Sequence, residues 1–126
     1  MEKSFSERVD EARAAVSAVS PAEANTRREN DPEVLFIDPR SAEDISKTTG
    51  IIPGALNLPL SELNDKPGKY LPRELASRER TIIASCQGGP MGALAAYALK
   101  QRGFNNVYFI DGGTQGWLDA GYATTR

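Results

Sequence analysis

Thr81-Ile82-Ile83-Ala84-Ser85-Cys86-Gln87-Gly88-Gly89-Pro90, with the segment Met91 to Arg102 behind it, decides the fold. Thr81 to Cys86 is a short apolar run of strand type. Gln87-Gly88-Gly89-Pro90 cannot continue that strand. Beyond it, Met91, Leu94, Ala95, Ala98 and Leu99 share one apolar face, so Met91 to Arg102 reads as a helix with Lys100 and Arg102 complementing its last turn. Gly103 supplies the residue past the helix end, and Phe104 the apolar contact beyond it. Asn105-Asn106 turns the chain into the next strand, Val107-Tyr108-Phe109-Ile110. Strand, loop, helix, strand at these lengths is a βαβ unit, hence parallel and right-handed.

The chain's single cysteine, Cys86, sits at the hinge of this unit. It lies at the carboxyl end of a strand and under the positive end of a helix dipole, both of which favour the nucleophilic thiolate. The N–H groups of the glycine loop form a cradle for an anion or for charge on sulfur. The plain alternative is an inert buried cysteine beside a tight turn.

Near the N-terminus, Phe5, Val9, Ala12, Val16 and Val19 alternate at spacings of four and three, an amphipathic helix over Phe5 to Val19. Ser4 and Glu7 make its capping box. This helix is expected as an accessory element, residues 1–19, before a domain of residues 20–126. Packing on its own domain is its simplest use. Ser20-Pro21-Ala22-Glu23 starts a second helix, which Asn30-Asp31-Pro32 closes. Val34-Leu35-Phe36-Ile37 is a strand buried on both faces, ending at the turn Asp38-Pro39-Arg40. Ser41 to Ser46 makes a helical turn, with Ser41 and Asp44 spaced as a cap. Ala55 to Leu58 is a short strand, and Pro59 stops it. Short helices are expected near Ser61 to Asn64 and Pro72 to Ser77, with Pro67-Gly68 interrupting. Asp111-Gly112-Gly113 turns into a last helix, Thr114 to Ala120, anchored by Trp117.

The expected architecture is α/β: a mainly parallel sheet of about four or five strands with helices on both faces. Ligands in such sheets sit beyond the carboxyl ends of the strands. Asp38, Cys86 and Asp111 each end a strand or follow one, so parallel strands place all three on one rim.

Composition narrows the functions. The 126 residues suit one domain, and 40% hydrophobic with 25% charged residues is ordinary for a globular protein. A net charge of −2 offers no general attraction to nucleic acid or anionic membranes. No stretch approaches the ~18 apolar residues of a membrane helix. Met1-Glu2-Lys3-Ser4 has no apolar core behind it and does not read as a secretory signal. One cysteine makes no internal disulfide, which suits a reducing compartment, and a cytoplasmic location is expected. The chain has no histidine, so Cys–His dyads, Ser–His–Asp triads and imidazole metal sites are excluded. Neither a metal nor a cofactor is expected.

At this point the chain resembles the rhodanese-type sulfurtransferases. Asp38-Pro39-Arg40 with Glu43 matches the family's Asp-x-Arg turn. Gly50-Ile51-Ile52-Pro53-Gly54-Ala55 is similar to its Gly-His-Ile-Pro-Gly-Ala segment. Cys86 with its glycine loop, Gly103 to Val107, and Asp111-Gly112-Gly113 before Trp117 follow in the family's order. The resemblance implies a rhodanese-like fold and a Cys86 persulfide, made from a sulfane-sulfur donor such as thiosulfate and passed to a thiol or cyanide-like acceptor. It places Gln87, Gly88, Gly89, Met91 and Gly92 in the substrate-binding loop, with Asp38 and Arg40 supporting it. The structural reading of that turn pairs Arg40 with Glu43 and bonds Asp38 to loop N–H groups.

The loop departs from the family where Cys-Arg-x-Gly-x-Arg-Ser is common. Gln87 and Met91 stand where arginines are usual, Gly92 replaces a hydroxyl, and Pro90 removes one N–H. A neutral or organic donor, such as a protein persulfide or polysulfide, then suits the loop better than thiosulfate. For Met91, at helical spacing with Leu94 and Ala95, core packing is the first explanation and a sulfur-tolerant wall the second. The alternative function is a non-catalytic or sulfur-sensing binding module on the same fold. A phosphatase or arsenate reductase is set aside, because those need an arginine closing the loop on an oxyanion.

Overall fold

The computed structural model describes residues 3–65 and 71–126. The strand-type runs around Val34, Ile82 and Val107 lie side by side as β2 (Leu35–Asp38), β4 (Ile82–Ala84) and β5 (Val107–Ile110), and two short strands flank them, β1 (Ser17–Val19) and β3 (Leu56–Asn57). The order is β1-β5-β4-β2-β3, and every pairing is parallel. Leu35 stands opposite Ile82, and Ile82 opposite Val107.

Because side chains alternate across a strand, continuous apolar runs feed two cores. Leu35, Ile37, Ile82, Ala84, Val107 and Phe109 face one side, where α1 (Phe5–Ala15), α4 (Leu60–Asp65), α5 (Pro90–Gln101) and a 3₁₀ turn at Arg73–Leu75 cover them. Phe36, Ile83 and Ile110 face the other, against α2 (Pro21–Asn30) and α6 (Gly113–Asp119). Trp117 of α6 anchors that layer, edge-on to Phe36 with ring centroids 5.7 Å apart and its Nε1–H donating to Ala123 at 2.8 Å.

The helix starts follow their caps. Ser4 Oγ accepts from Glu7 N–H at 3.1 Å while the Glu7 carboxylate accepts from Ser4 N–H at 3.0 Å. Ser20 caps α2 with Pro21 behind it, and Ser41 caps α3 (Ala42–Lys47). Each such cap contributes about 1 kcal/mol.

The structure corrects the reading of the first segment. The helix expected over Phe5 to Val19 stops at Ala15, and Ser17–Val19 is an edge strand beside β5. Val16 and Val19 fit either period, so the partner decides. The free edge of β5 presents backbone groups that β1 satisfies, Asp111 N–H donating to Val19 at 2.8 Å. Lys100 Nζ–H donates to Ala15 at 2.6 Å, complementing the end of α1 rather than only that of α5. Val9, Ala12 and Val16 are buried as expected, but Phe5 is 57% exposed.

The helix expected near Pro72 to Ser77 is only the Arg73–Leu75 turn, and the break at Pro67-Gly68 lies outside the described residues. No described helix is long and apolar enough to cross a membrane.

Candidate active site

All strands being parallel, Asp38, Cys86 and Asp111 stand on the same rim of the sheet. β4 delivers Cys86 there: Ser85 N–H donates to Ile37 at 2.9 Å, after which the chain leaves the sheet. Cys86 is only 3% exposed, and Gly89 N–H donates to its Sγ at 3.1 Å. Gly89 makes that turn with φ +127° and caps α5, whose dipole points its positive end at the loop.

The loop is held from behind by α6. Thr114 N–H donates to the Cys86 carbonyl at 2.7 Å, and Gln115 N–H to that of Gln87 at 3.0 Å. The Ser85 and Thr114 hydroxyls bond at 2.7 Å. Trans peptides place N–H opposite C=O, so tying these carbonyls to α6 turns the Gln87 and Gly88 N–H groups away from it. Gly92 brings α5 against the end of β4, since a Cβ there would lie 3.3 Å from the Ala84 carbonyl.

In front of Cys86 opens a pocket of about 460 Å³. The loop and α5 contribute Cys86, Gln87, Gly88, Pro90 and Met91, the segment after β2 contributes Arg40, Asp44 and Thr48, and α1 contributes Phe5. Met91 is half-buried and lines this pocket. Asp111 is exposed and does not line it.

Asp38 and Arg40 form a buried ion pair, 1% and 4% exposed. Arg40 Nη2 lies 2.7 Å from Asp38 Oδ2, and its Nε 3.0 Å from Oδ1. The remaining donors of Arg40 go to Thr48, Thr49 and the Gly50 carbonyl. The expected pairing of Arg40 with Glu43 is therefore incorrect: Glu43 pairs with Lys47 on the exposed side of α3. A carboxylate buried at the end of β2 requires the nearest cation, while Glu43 has water.

Several site residues had no local signal. Phe5 reads as part of an apolar helix stripe and Asp44 as a cap partner of Ser41, while nothing in the sequence singles out Thr48. Arg13 of α1 is another, its Nη2 only 3.3 Å from where a Gly89 Cβ would stand. Thr114 and Gln115 were heralded by the Asp111-Gly112-Gly113 turn, although not their bonds to the loop.

The rhodanese-like domain family model matches residues 20–120. The chain belongs to that family. Among relatives of this rhodanese-like domain are the tRNA uridine(34) hydroxylase of Xanthomonas axonopodis pv. citri, 30% identical over 68% of the chain, and a rhodanese domain-containing protein of Drosophila melanogaster, 31% identical over 70% of the chain and 85% of the relative. The chain spans 34% of that hydroxylase's length, so the likeness is to one of its parts.

Among solved structures, a Rhodopseudomonas palustris protein of unknown function, described as a possible tyrosine phosphatase, superposes with TM-score 0.85 over 99% of this chain and 96% of its own. At 24% identity it is similar in fold alone. The polysulfide-sulfur transferase of Wolinella succinogenes gives TM-score 0.70 at 25% identity over 96% and 86% of the two chains. The human single-domain sulfurtransferase gives 0.69 at 26%, over 82% and 96%.

Proposed function

We propose that this domain is a sulfurtransferase carrying sulfane sulfur as a persulfide on Cys86. The carrying observation is that Cys86 lines a pocket of about 460 Å³ while the Gly89 N–H is aimed at its Sγ from 3.1 Å. A fixed donor against sulfur stabilises the negative charge that both the attacking thiolate and the loaded persulfide bear. The sulfurtransferase neighbours are consistent with this chemistry.

The Cys86 thiolate attacks the donor's sulfane sulfur. A new S–S bond forms, and the donor's bond breaks with its electron pair leaving on the remainder. A thiol or cyanide-like acceptor, or a thiol on a protein, then attacks the outer sulfur and releases the Cys86 thiolate. Because Cys86 is the chain's one cysteine, the acceptor is external. Gln87, Gly88, Gly89, Met91 and Gly92 supply the cradle amides, Pro90 supplies none, and Met91 also lines the pocket. Asp38 and Arg40 stiffen the facing wall.

Intact mass after incubation with a donor tests this. The expected result is a reducible gain of one sulfur, absent in Cys86→Ser. A Cys86→Ser protein retaining full transfer would refute it. The reading as a sulfur-sensing or binding module draws on one observation, the 3% exposure of Cys86. It predicts no mass gain from any donor and a folded-state thiol that resists alkylation.

A further inference from the structure

Capping by Ser4 makes Phe5 the first residue of α1, and two side-chain ties hold that helix on α5. Tyr97 donates to Glu11 at 3.2 Å and Lys100 donates to the Ala15 carbonyl, while Lys3 pairs with Glu11 within the first segment. This delivers Phe5 to the mouth of the Cys86 pocket, next to Pro90 and Met91. Among the described residues it is the one large hydrophobic side chain that is exposed. At the pocket mouth that ring offers apolar surface on which a ligand's apolar arm is buried.

The electrostatics of the same pocket point the same way. Among the described residues lining it, Arg40 is the only cation, and its guanidinium is committed to Asp38, Thr48, Thr49 and Gly50. Asp44 adds an exposed carboxylate. Arg126 bonds the Ser46 and Thr48 carbonyls, and Arg13 stands beside Gly89; neither lines the pocket. Among the described lining residues Asp44 is thus the charged side chain without an ion-pair partner, and a dianion placed near it is disfavoured. The volume of about 460 Å³ lies in the range of organic-ligand sites, far above the needs of a small inorganic ion.

We propose that Phe5 and Asp44 set donor specificity, selecting a sulfane-sulfur donor with an aryl or alkyl arm and at most one negative charge over inorganic thiosulfate. The arm packs on Phe5, Pro90 and Met91 while its outer sulfur meets Cys86. This rests on the sulfurtransferase reading and names its substrate class. With an aryl thiosulfonate, the Cys86 thiolate takes the outer sulfur and the sulfinate leaves with the electron pair. No external oxidant or reductant is required.

The test compares benzenethiosulfonate with thiosulfate, cyanide as acceptor, in wild type, Phe5→Ala, Phe5→Leu and Asp44→Asn. The expected readout is the ratio of kcat/KM values for the two donors. Wild type favours benzenethiosulfonate. Phe5→Ala lowers the ratio about fivefold, mainly through KM, and Phe5→Leu lowers it less. Asp44→Asn lowers it about threefold at low salt by admitting thiosulfate, an effect that fades as salt rises. An unchanged ratio in Phe5→Ala, including an equal fall with both donors, overturns the proposal.

If wild type takes sulfur from neither donor nor from a small-molecule polysulfide, the sulfurtransferase reading fails, and pocket preference is read by binding alone. Benzenesulfinate and sulfite are titrated into Cys86→Ser and Phe5→Ala/Cys86→Ser. Benzenesulfinate binding that weakens about fivefold without Phe5 supports the pocket assignment. Binding that is absent or indifferent to Phe5 overturns it.

Discussion

Gly113 meets the backbone of Cys86 so closely that a Cβ at position 113 would stand 2.6 Å from the Cys86 carbonyl oxygen and 2.8 Å from that of Gln87. Its φ of +61° adds the left-handed conformation that favours glycine. The absence of a side chain therefore lets α6 reach the loop with the Thr114 and Gln115 amides.

Gly113→Ala is accordingly expected to cost about 2 kcal/mol or more and to push the cradle out of register. Sulfur loading of Cys86 falls by at least about tenfold, read by intact mass. Gly121→Ala is the control: Gly121 has φ +97° with nothing within 4 Å of the added methyl. It loses about 1 kcal/mol in thermal melts and keeps its sulfur loading.

Arg40→Met leaves the Asp38 carboxylate buried without its cation. Denaturant unfolding is expected to show a loss of about 3–5 kcal/mol. Adding Asp38→Asn recovers part of it, because the stranded charge is the larger penalty. A double variant as unstable as the sum of the singles would show that the two side chains act independently.

Met91→Arg restores a loop arginine beside Cys86, since Met91 already lines the pocket. Thiosulfate use, measured as kcat/KM, rises about tenfold at low salt and less at high salt. No change would mean that charge at position 91 does not limit the inorganic donor.

Acid is expected to loosen the first turn of α1. The Ser4 backbone N–H, and then its side chain, hold the Glu7 carboxyl below the usual carboxylate range. A hydrogen bond from Lys3, and then one from Tyr97, do the same for Glu11. Groups lowered on folding stabilise the helix above their ordinary values and lose that contribution as pH falls through the lowered ones. Amide exchange in the first turn of α1 therefore speeds up as pH is lowered from about 5 to 3, beyond the intrinsic pH dependence. Glu7→Ala exchanges faster already at neutral pH and flattens the change.

Much of the fold was legible because its signals are local. Apolar runs at Leu35, Ile82 and Val107, caps at Ser4, Ser20 and Ser41, and the glycine loop after Cys86 each carry their physics within a few residues. Ser17–Val19 was misread because valine spacing fits a helix as well as a strand, and only the open edge of β5 distinguishes them. Arg40 went to Asp38 rather than Glu43 because burial, invisible in sequence, sets which carboxylate must be neutralised.

The sequence by itself determined the parallel α/β plan, the family, the position of Cys86 at a strand end, and the absence of histidine and loop arginines. Periodicity, turn chemistry and residue identity act over short stretches and survive without coordinates. Only the tertiary structure decided what surrounds the thiol. It closed the loop onto α6, buried Asp38 with Arg40, and brought Phe5 and Arg13 of α1 alongside a cysteine more than seventy residues away. Those neighbours are set by how helices pack across a sheet, and chain distance carries no record of that packing.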